Sequence, residues 1–145
     1  MDWKQAAIDD LKKYNAQKQS LINIQQRISA LKIKNESIKS RVTDSTPVQG
    51  GGCQTEENLL NNIVERERLK LTYAATKRLV TLVEKGLSEL SDDEKYVLEM
   101  FYIAPEKGNV DRLMDEISVE KSQVYRIKDA ALYKYTLRMY GLTDY

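Results

Sequence analysis

The side chains best suited to binding chemistry lie close together between residues 121 and 133. Arg126 and Gln123 are of the types that pair in bidentate fashion with guanine and adenine edges. Neighbouring Lys, Ser and Tyr side chains can hold phosphates. On a helix, an advance of about 100° per residue from Val124 and Ile127 leaves a polar set pointing away. Four of its members point broadly away, Ser122, Arg126, Asp129 and Tyr133, with Tyr125 nearby and Lys121 and Gln123 at the flanks. The residues predicted to face DNA are Lys121, Ser122, Gln123, Tyr125, Arg126, Asp129 and Tyr133.

Each member of this polar set also has a plainer interpretation. Exposed Lys and Arg usually only solvate a helix, and Tyr125 could pack against a neighbouring element. Asp129 is a poor neighbour for a phosphate, so we expect it to pair with Arg126 or to exclude wrong DNA sequences. The joint placement of the set on one face is what favours nucleic-acid binding.

Catalytic chemistry has little support in the composition. The 145 residues include no histidine and one cysteine, Cys53, which removes the commonest general base and excludes a structural zinc site. No glycine-rich phosphate loop follows a strand. The acids of SDDE, residues 91–94, are typical of a capped helix start rather than of a metal site. We therefore expect a protein that is not an enzyme, with no metal and no cofactor.

A group of five aliphatic residues must position the polar face. Leu113 and Ile117, four apart, share one helix face, and Val124 and Ile127, three apart, share the face of the next helix. Val119 lies in the polar break between them and can fill the gap. The spacing predicts two short helices joined at a steep angle by a turn of three or four residues. A plain helical hairpin without a DNA role is the alternative.

The first 42 residues read as one long helix with a heptad repeat. The apolar seam is interrupted before Gln17 and continuous from Leu21 to Val42, which predicts a coiled coil or a long helical hairpin. Asn35 either fixes register and oligomeric state or marks fraying near the helix end. The residues predicted for oligomerisation are Leu21, Ile24, Ile28, Leu31, Asn35 and Ile38.

The remaining boundaries follow from composition. Residues 43–55, with Pro47 and three consecutive glycines, read as a flexible linker. A second long helix covers residues 56–90, and residues 91–145 form the predicted DNA-binding domain. The whole chain is thus expected to be all-α. The sequence leaves open whether the two long helices pair within one chain or between chains.

The net charge of +1 conceals an uneven distribution. Residues 1–50 carry nine Lys and Arg against five Asp and Glu, and residues 91–145 carry eight against eleven. Within the acidic part, residues 118–140 hold five basic and two acidic side chains, which suits contact with phosphates. With no apolar run of membrane-spanning length and no signal peptide, we expect a cytoplasmic location and no membrane partner.

The C-terminal 55 residues resemble a known family. The segments LSELSDDEKYVLEMFYI (87–103) and VDRLMDEISVEKSQVYRIKDAALYKYTLRMYG (110–141) are similar to region 4 of bacterial sigma-70 factors. They are more similar still to the sigma-like phage transcriptional regulators of the ArpU/RinA type. Two positions depart from the helix-turn-helix pattern, because Met114 stands where Ala is common and Ser118 where Gly is common. Glu120 stands where the sigma pattern usually has Ser. The resemblance implies a helix-turn-helix that binds DNA near promoters, with RNA polymerase as a further expected partner.

Three functions remain open from the sequence. The first is a sequence-specific DNA-binding transcriptional regulator of a phage or prophage, acting on double-stranded DNA as a homo-oligomer. The second is a small terminase-like DNA-packaging subunit. The third is a sigma-like interaction module that binds RNA polymerase without reading DNA.

Overall fold

All regular structure in the described part of the chain is helical. The computed structural model describes residues 1–44 and 52–143, with side chains over 1–40 and 55–143. Its elements are α1 (Trp3–Asp44), α2 (Gly52–Ser88), α3 (Asp92–Leu98), a π-helical segment (Glu99–Ile103), α4 (Asn109–Ile117) and α5 (Lys121–Tyr140). The predicted all-α class is confirmed. None of the helices in these residues combines the length and the apolar character needed to cross a membrane.

The two long helices extend further into the predicted linker than expected. α1 ends at Asp44 rather than at residue 42, and α2 runs from Gly52 to Ser88 rather than from 56 to 90. Residues 43–44 and 52–55 are therefore helical. A glycine at the first position of a helix loses no ladder hydrogen bond, because the first amides of any helix lack an internal partner. Residues 45–51 of the predicted linker lie outside the described residues.

The chain divides into two compact units whose limits differ from the predicted boundaries. One unit comprises residues 19–77, and the other combines residues 1–18 with 78–145. The beginning of α1 thus belongs with the C-terminal elements.

In the unit of residues 19–77, α1 and α2 pair within one chain. The Asn62 side-chain amide donates to the Leu31 carbonyl at 2.8 Å, and the Gln25 amide donates to the Tyr73 hydroxyl at 3.1 Å. Three of the six residues predicted for oligomerisation are buried here and the other three are partly buried: Leu21, Ile24 and Asn35, then Ile28, Leu31 and Ile38. Because contacts inside the chain occupy this seam, it is a poor surface for a second chain, and self-association stays a prediction.

In the other unit, the start of α1 packs against residues from the chain's C-terminal half. Leu11 is fully buried, although it lies outside the a and d positions of the heptad repeat. Asp10 is a polar residue that interrupts the apolar seam of the heptad repeat. It accepts a hydrogen bond from the Tyr140 hydroxyl. The Tyr14 hydroxyl donates to Glu84 at 3.0 Å. Burial, reinforced by that bond, raises the pKa of Tyr14 to about 12. The polar side chain of Asp10 thus makes a tertiary contact at a position where the heptad repeat lacks an apolar residue.

Candidate nucleic-acid interface

One hydrophobic cluster joins α3, the π-helical segment, α4 and α5. Its buried centre consists of Val97, Met100, Leu113 and Val124. Three more aliphatic residues pack against that centre while remaining partly exposed: Ile117, Val119 and Ile127. All five residues of the predicted quintet therefore belong to the same cluster. Their packing fixes the orientation of α5 relative to α4 and α3.

The connection between α4 and α5 is three residues long. Ser118 adopts a left-handed conformation with φ of 58°, a region that favours glycine because it has no Cβ. The Val119 amide donates to the Met114 carbonyl at 3.2 Å, which closes the end of α4. Met114 packs against the hydrophobic cluster, so the larger side chain at this position is accommodated. The short connection and the left-handed Ser118 together turn the chain sharply into α5.

The acidic start of α3 is a capping box, as the sequence predicted. The Glu94 amide donates to Ser91 Oγ and the Ser91 amide donates to Glu94 Oε1, both at 3.2 Å. Lys134 Nζ of α5 lies 3.0 Å from Glu94 Oε2. Burial raises the pKa of Glu94, but hydrogen bonds from Lys134 and Ser91 outweigh it, so the pKa lies below its usual value. Glu94 thereby links the cap of α3 to the middle of α5.

A second polar group holds α4 against α3. The Tyr96 hydroxyl donates to Glu116, and Arg112 donates to both Glu116, at 2.9 Å, and Glu106, at 2.6 Å. The hydrogen bonds from Tyr96 and Arg112 lower the pKa of Glu116. This network lies at the surface, so its contribution to stability is small. Its effect is to fix the position of α4, and hence of the connection that leads into α5.

The structure places the entire predicted DNA-binding set on the solvent-exposed side of α5. All seven residues are exposed: Lys121, Ser122, Gln123, Tyr125, Arg126, Asp129 and Tyr133. Four of them make no side-chain hydrogen bond or ion pair within the described part of the chain: Lys121, Ser122, Gln123 and Arg126. Their donors and acceptors are therefore available to a ligand. They occupy the first two turns of the helix, directly after the connection.

Tyr125 packs against a neighbouring ring, as the plainer interpretation of the sequence allowed, whereas Asp129 pairs with a lysine that the sequence did not suggest. The Tyr125 ring lies edge-on to Phe101 with centroids 5.9 Å apart. Lys128 Nζ lies 5.2 Å from the Tyr125 centroid and 5.3 Å from that of Phe101. Asp129 pairs with Lys128 at 3.6 Å, rather than with Arg126 as expected. Contacts with Phe101 and Lys128 thus hold the Tyr125 ring on one side, while 38% of the residue stays exposed to solvent.

Ion pairs reduce the number of basic side chains that α5 offers to a ligand. Lys134 pairs with Glu94, and Arg138 Nη2 lies 3.2 Å from Glu89 Oε1. Lys128 is engaged with Asp129 and the two rings. Of the five basic residues between 118 and 140, only Lys121 and Arg126 keep their charge without a counterion in the described residues. The acids that neutralise Lys134 and Arg138 lie outside α5, so the charge count of residues 118–140 overstated the positive charge that this helix offers.

α5 ends at a glycine in the left-handed conformation. Gly141 has φ of 71°, and its amide donates to the Leu137 carbonyl at 2.8 Å, which terminates the helix.

Searches against protein-family models, curated proteins and solved structures find no match for this chain. The functional conclusion therefore depends on the geometry of these residues.

Proposed function

We propose that the chain is a sequence-specific DNA-binding transcriptional regulator in which α4 and α5 form a helix-turn-helix. The observation that carries this proposal is the state of Arg126 and Gln123. Both are exposed, and their side chains make no hydrogen bond or ion pair in the described residues. Arg126 lies opposite the buried Val124, and Gln123 lies about 100° from Val124 at the margin of the polar face. A helix-turn-helix presents the first residues of its second helix to base edges in the major groove.

The dimensions of α5 divide the polar face into two parts. Eleven residues separate Ser122 from Tyr133, so their positions differ by about 16 Å along the helix axis. The major groove is about 12 Å wide. We assign base contacts to Gln123 and Arg126 in the first two turns. Tyr133, further along, is assigned to the sugar–phosphate backbone, as is Lys121 at the helix start.

The available charge limits the affinity of a single chain. Of the two basic side chains of α5 without a counterion in the described residues, only Lys121 is assigned to a phosphate. We therefore expect about one neutralised phosphate per chain, so the logarithm of the binding constant should fall with the logarithm of the salt concentration with a slope of about −1. Such a module binds DNA weakly at physiological salt. Useful affinity then requires two chains on paired half-sites, so an oligomer forms part of the proposal.

The resemblance to sigma region 4 and to phage regulators of the ArpU/RinA type supports a role in transcription. It motivates RNA polymerase as a second partner and a bacterial phage or prophage as the setting. The exposed positions of Arg126 and Gln123 support binding to duplex DNA, whereas RNA polymerase and the phage setting are proposed from the resemblance alone.

Selection from a random duplex library, followed by mobility shifts on the enriched sequence, tests the proposal. Arg126→Ala and Gln123→Ala should each weaken binding by about 1–3 kcal/mol and relax specificity at one base pair. Arg138→Ala is the matched control. It removes the same side chain from the same helix at a position where Glu89 already neutralises it, so binding should stay nearly unchanged.

The same experiment separates the alternatives. If no sequence is enriched, or if Arg126→Ala binds like the wild type, the assignment of this face to DNA is wrong. Retained polymerase binding in Arg126→Ala, with loss of binding on changes to α3, would favour the protein-interaction module. Assembly into eight or more subunits would favour a packaging role.

A further inference from the structure

An aromatic ring stands among the polar side chains at the start of α5. Tyr125 is exposed and lies about 100° around the helix from the buried Val124. Arg126 is the next residue, so the two side chains leave the helix at nearly the same level, about 1.5 Å apart along the axis. If Arg126 contacts a base pair, a neighbouring base pair is therefore within reach of the Tyr125 ring.

The Tyr125 ring has a defined position because the hydrophobic cluster supports it through Phe101. Phe101 packs against the buried centre of that cluster, and its ring meets Tyr125 edge-on with centroids 5.9 Å apart. Lys128 Nζ lies 5.3 Å from the Phe101 centroid and 5.2 Å from the Tyr125 centroid. These contacts favour one orientation of the Tyr125 ring, so little conformational freedom is lost when a ligand packs against it.

Side-chain amides fix the π-helical segment that carries Phe101. Asn109 Nδ2 donates to the Met100 carbonyl at 3.0 Å. Asn15 Nδ2 donates to the Ile103 carbonyl at 3.2 Å. The backbone is thus held directly before Phe101 and two residues after it. Because π-helical turns are rare and frequently occur at functional sites, this segment is consistent with a role in placing the Tyr125 ring.

The exposed ring surface determines what Tyr125 can contact. Its hydroxyl makes no hydrogen bond in the described residues, but the ring itself is apolar. In the major groove, base pairs present hydrogen-bond donors, hydrogen-bond acceptors and one kind of apolar group, the 5-methyl of thymine. A phosphate contact would require the hydroxyl, whereas a contact with the methyl group requires only the ring.

We infer that Tyr125 is a specificity-determining residue whose ring packs against the 5-methyl group of a thymine, in a base pair next to the one that Arg126 reads. Phe101 is its positioning residue. The inference rests on the proposed function, because it names one base of the site that α5 would bind. It gives Tyr125 an apolar contact that complements the hydrogen bonds assigned to Gln123 and Arg126.

Replacement of thymine by uracil tests this contact, because it removes one methyl group and leaves the base-pairing edge unchanged. The probe is the duplex selected from the random library, with one thymine replaced at a time. The base pair at which Arg126→Ala relaxes specificity locates Arg126 on this duplex. Uracil at a neighbouring thymine should raise the dissociation constant of the wild type about 4-fold, because one buried methyl group is missing.

Variants of the two rings identify the source of this preference for thymine. Tyr125→Ala should bind the thymine and uracil duplexes equally, since no ring meets the methyl group. Tyr125→Phe should keep the wild-type ratio of dissociation constants, since it keeps the ring. Phe101→Leu should lower that ratio, because the cluster stays apolar while Tyr125 loses its edge contact. Each ratio compares two duplexes on one protein, so a change in the folded fraction does not alter it.

Tyr133→Ala is the matched control. It removes the same side chain from the same helix, eight residues further along, where the contact is assigned to the sugar–phosphate backbone. Binding to the thymine and uracil duplexes should weaken alike, with an unchanged ratio. A selected site without thymine next to the Arg126 base pair, a wild-type ratio in Tyr125→Ala, or loss of the ratio in Tyr125→Phe would each overturn the inference.

Failure of the thymine contact and failure of the proposed function give different results. If a sequence is enriched and Arg126→Ala weakens binding, but uracil is tolerated at every thymine, the thymine contact alone is refuted. If no sequence is enriched, the proposed function is refuted and the thymine contact with it.

Discussion

Gly86→Ala should destabilise the protein, although alanine is the better helix former. Gly86 is buried in α2. A Cβ at this position would lie 2.8 Å from Met139 Sδ and 2.8 Å from Tyr135 Cε2, with Tyr135 Cδ2 at 3.1 Å. The Met139 side chain can move aside, but the Tyr135 ring is fully buried and has no free volume to enter. The close approach of α2 and α5 therefore depends on the missing side chain.

Two opposing terms set the size of the effect. Replacing glycine by alanine inside a helix stabilises it by about 0.5–1 kcal/mol. Overpacking a filled core costs about 1–3 kcal/mol. The difference between the two terms spans about 0–2.5 kcal/mol, so we expect the free energy of unfolding to fall by about 1 kcal/mol. In urea denaturation, the midpoint should decrease while the slope of the transition stays the same.

Two further variants isolate these terms. Ala130→Gly, at an exposed position of α5, measures the propensity term alone and should destabilise by about 0.5–1 kcal/mol. Combining Gly86→Ala with Met139→Ala removes one of the two close contacts, so the pair should cost less than the sum of the single changes. If Gly86→Ala proves as stable as the wild type or more stable, the tight packing of α2 against Tyr135 is wrong.

Two other predictions concern the elements that position α5. Glu94→Gln should destabilise by about 0.5–1 kcal/mol near pH 7, because it removes the charge that meets Lys134 and the helix start. The pKa of Glu94 is lowered in the folded state, so its stabilisation is present above the unfolded value near 4.5 and is lost as the pH falls through the folded pKa. The difference in melting temperature between Glu94→Gln and wild type should shrink below about pH 4.5, and a pH-independent difference would contradict the charge-based explanation. Ser118→Gly should raise the free energy of unfolding by about 0.5–1 kcal/mol, because glycine tolerates φ of 58°. Ser118→Val should lower the free energy of unfolding. Equal stability of the two variants in urea denaturation would exclude a left-handed conformation at this residue.

Local periodicity predicted much of the C-terminal part. The spacing of Leu113, Ile117, Val124 and Ile127 is a property of helix geometry, so it located the shared cluster without coordinates. The same reasoning placed Arg126 on the exposed face. The capping box at Ser91 depends on residues within a few positions of each other, and it is confirmed.

Features that depend on distant partners were not predictable. The sequence counted Lys134 and Arg138 as charges available to DNA, but Glu94 and Glu89, more than 35 residues away, neutralise them. Leu11 lies outside the heptad seam because it packs in the compact unit formed by residues 1–18 and 78–145. The reason for a glycine at position 86 lies in Tyr135 and Met139 of α5. The spacing of residues along one helix does not indicate these contacts, because each of them joins residues that are far apart in the sequence.

The central claim is that the start of α5 lies against duplex DNA, and proximity cleavage tests it most directly. An iron chelate attached to Ser122→Cys, in a Cys53→Ser background, generates hydroxyl radicals that cut nearby DNA strands. We predict strong cleavage within the selected site from this position. A chelate attached at Lys107→Cys, an exposed position before α4, should give weaker cleavage or none. Stronger cleavage from position 107 than from position 122, or no cleavage from position 122 on DNA that the protein binds, would contradict the claim.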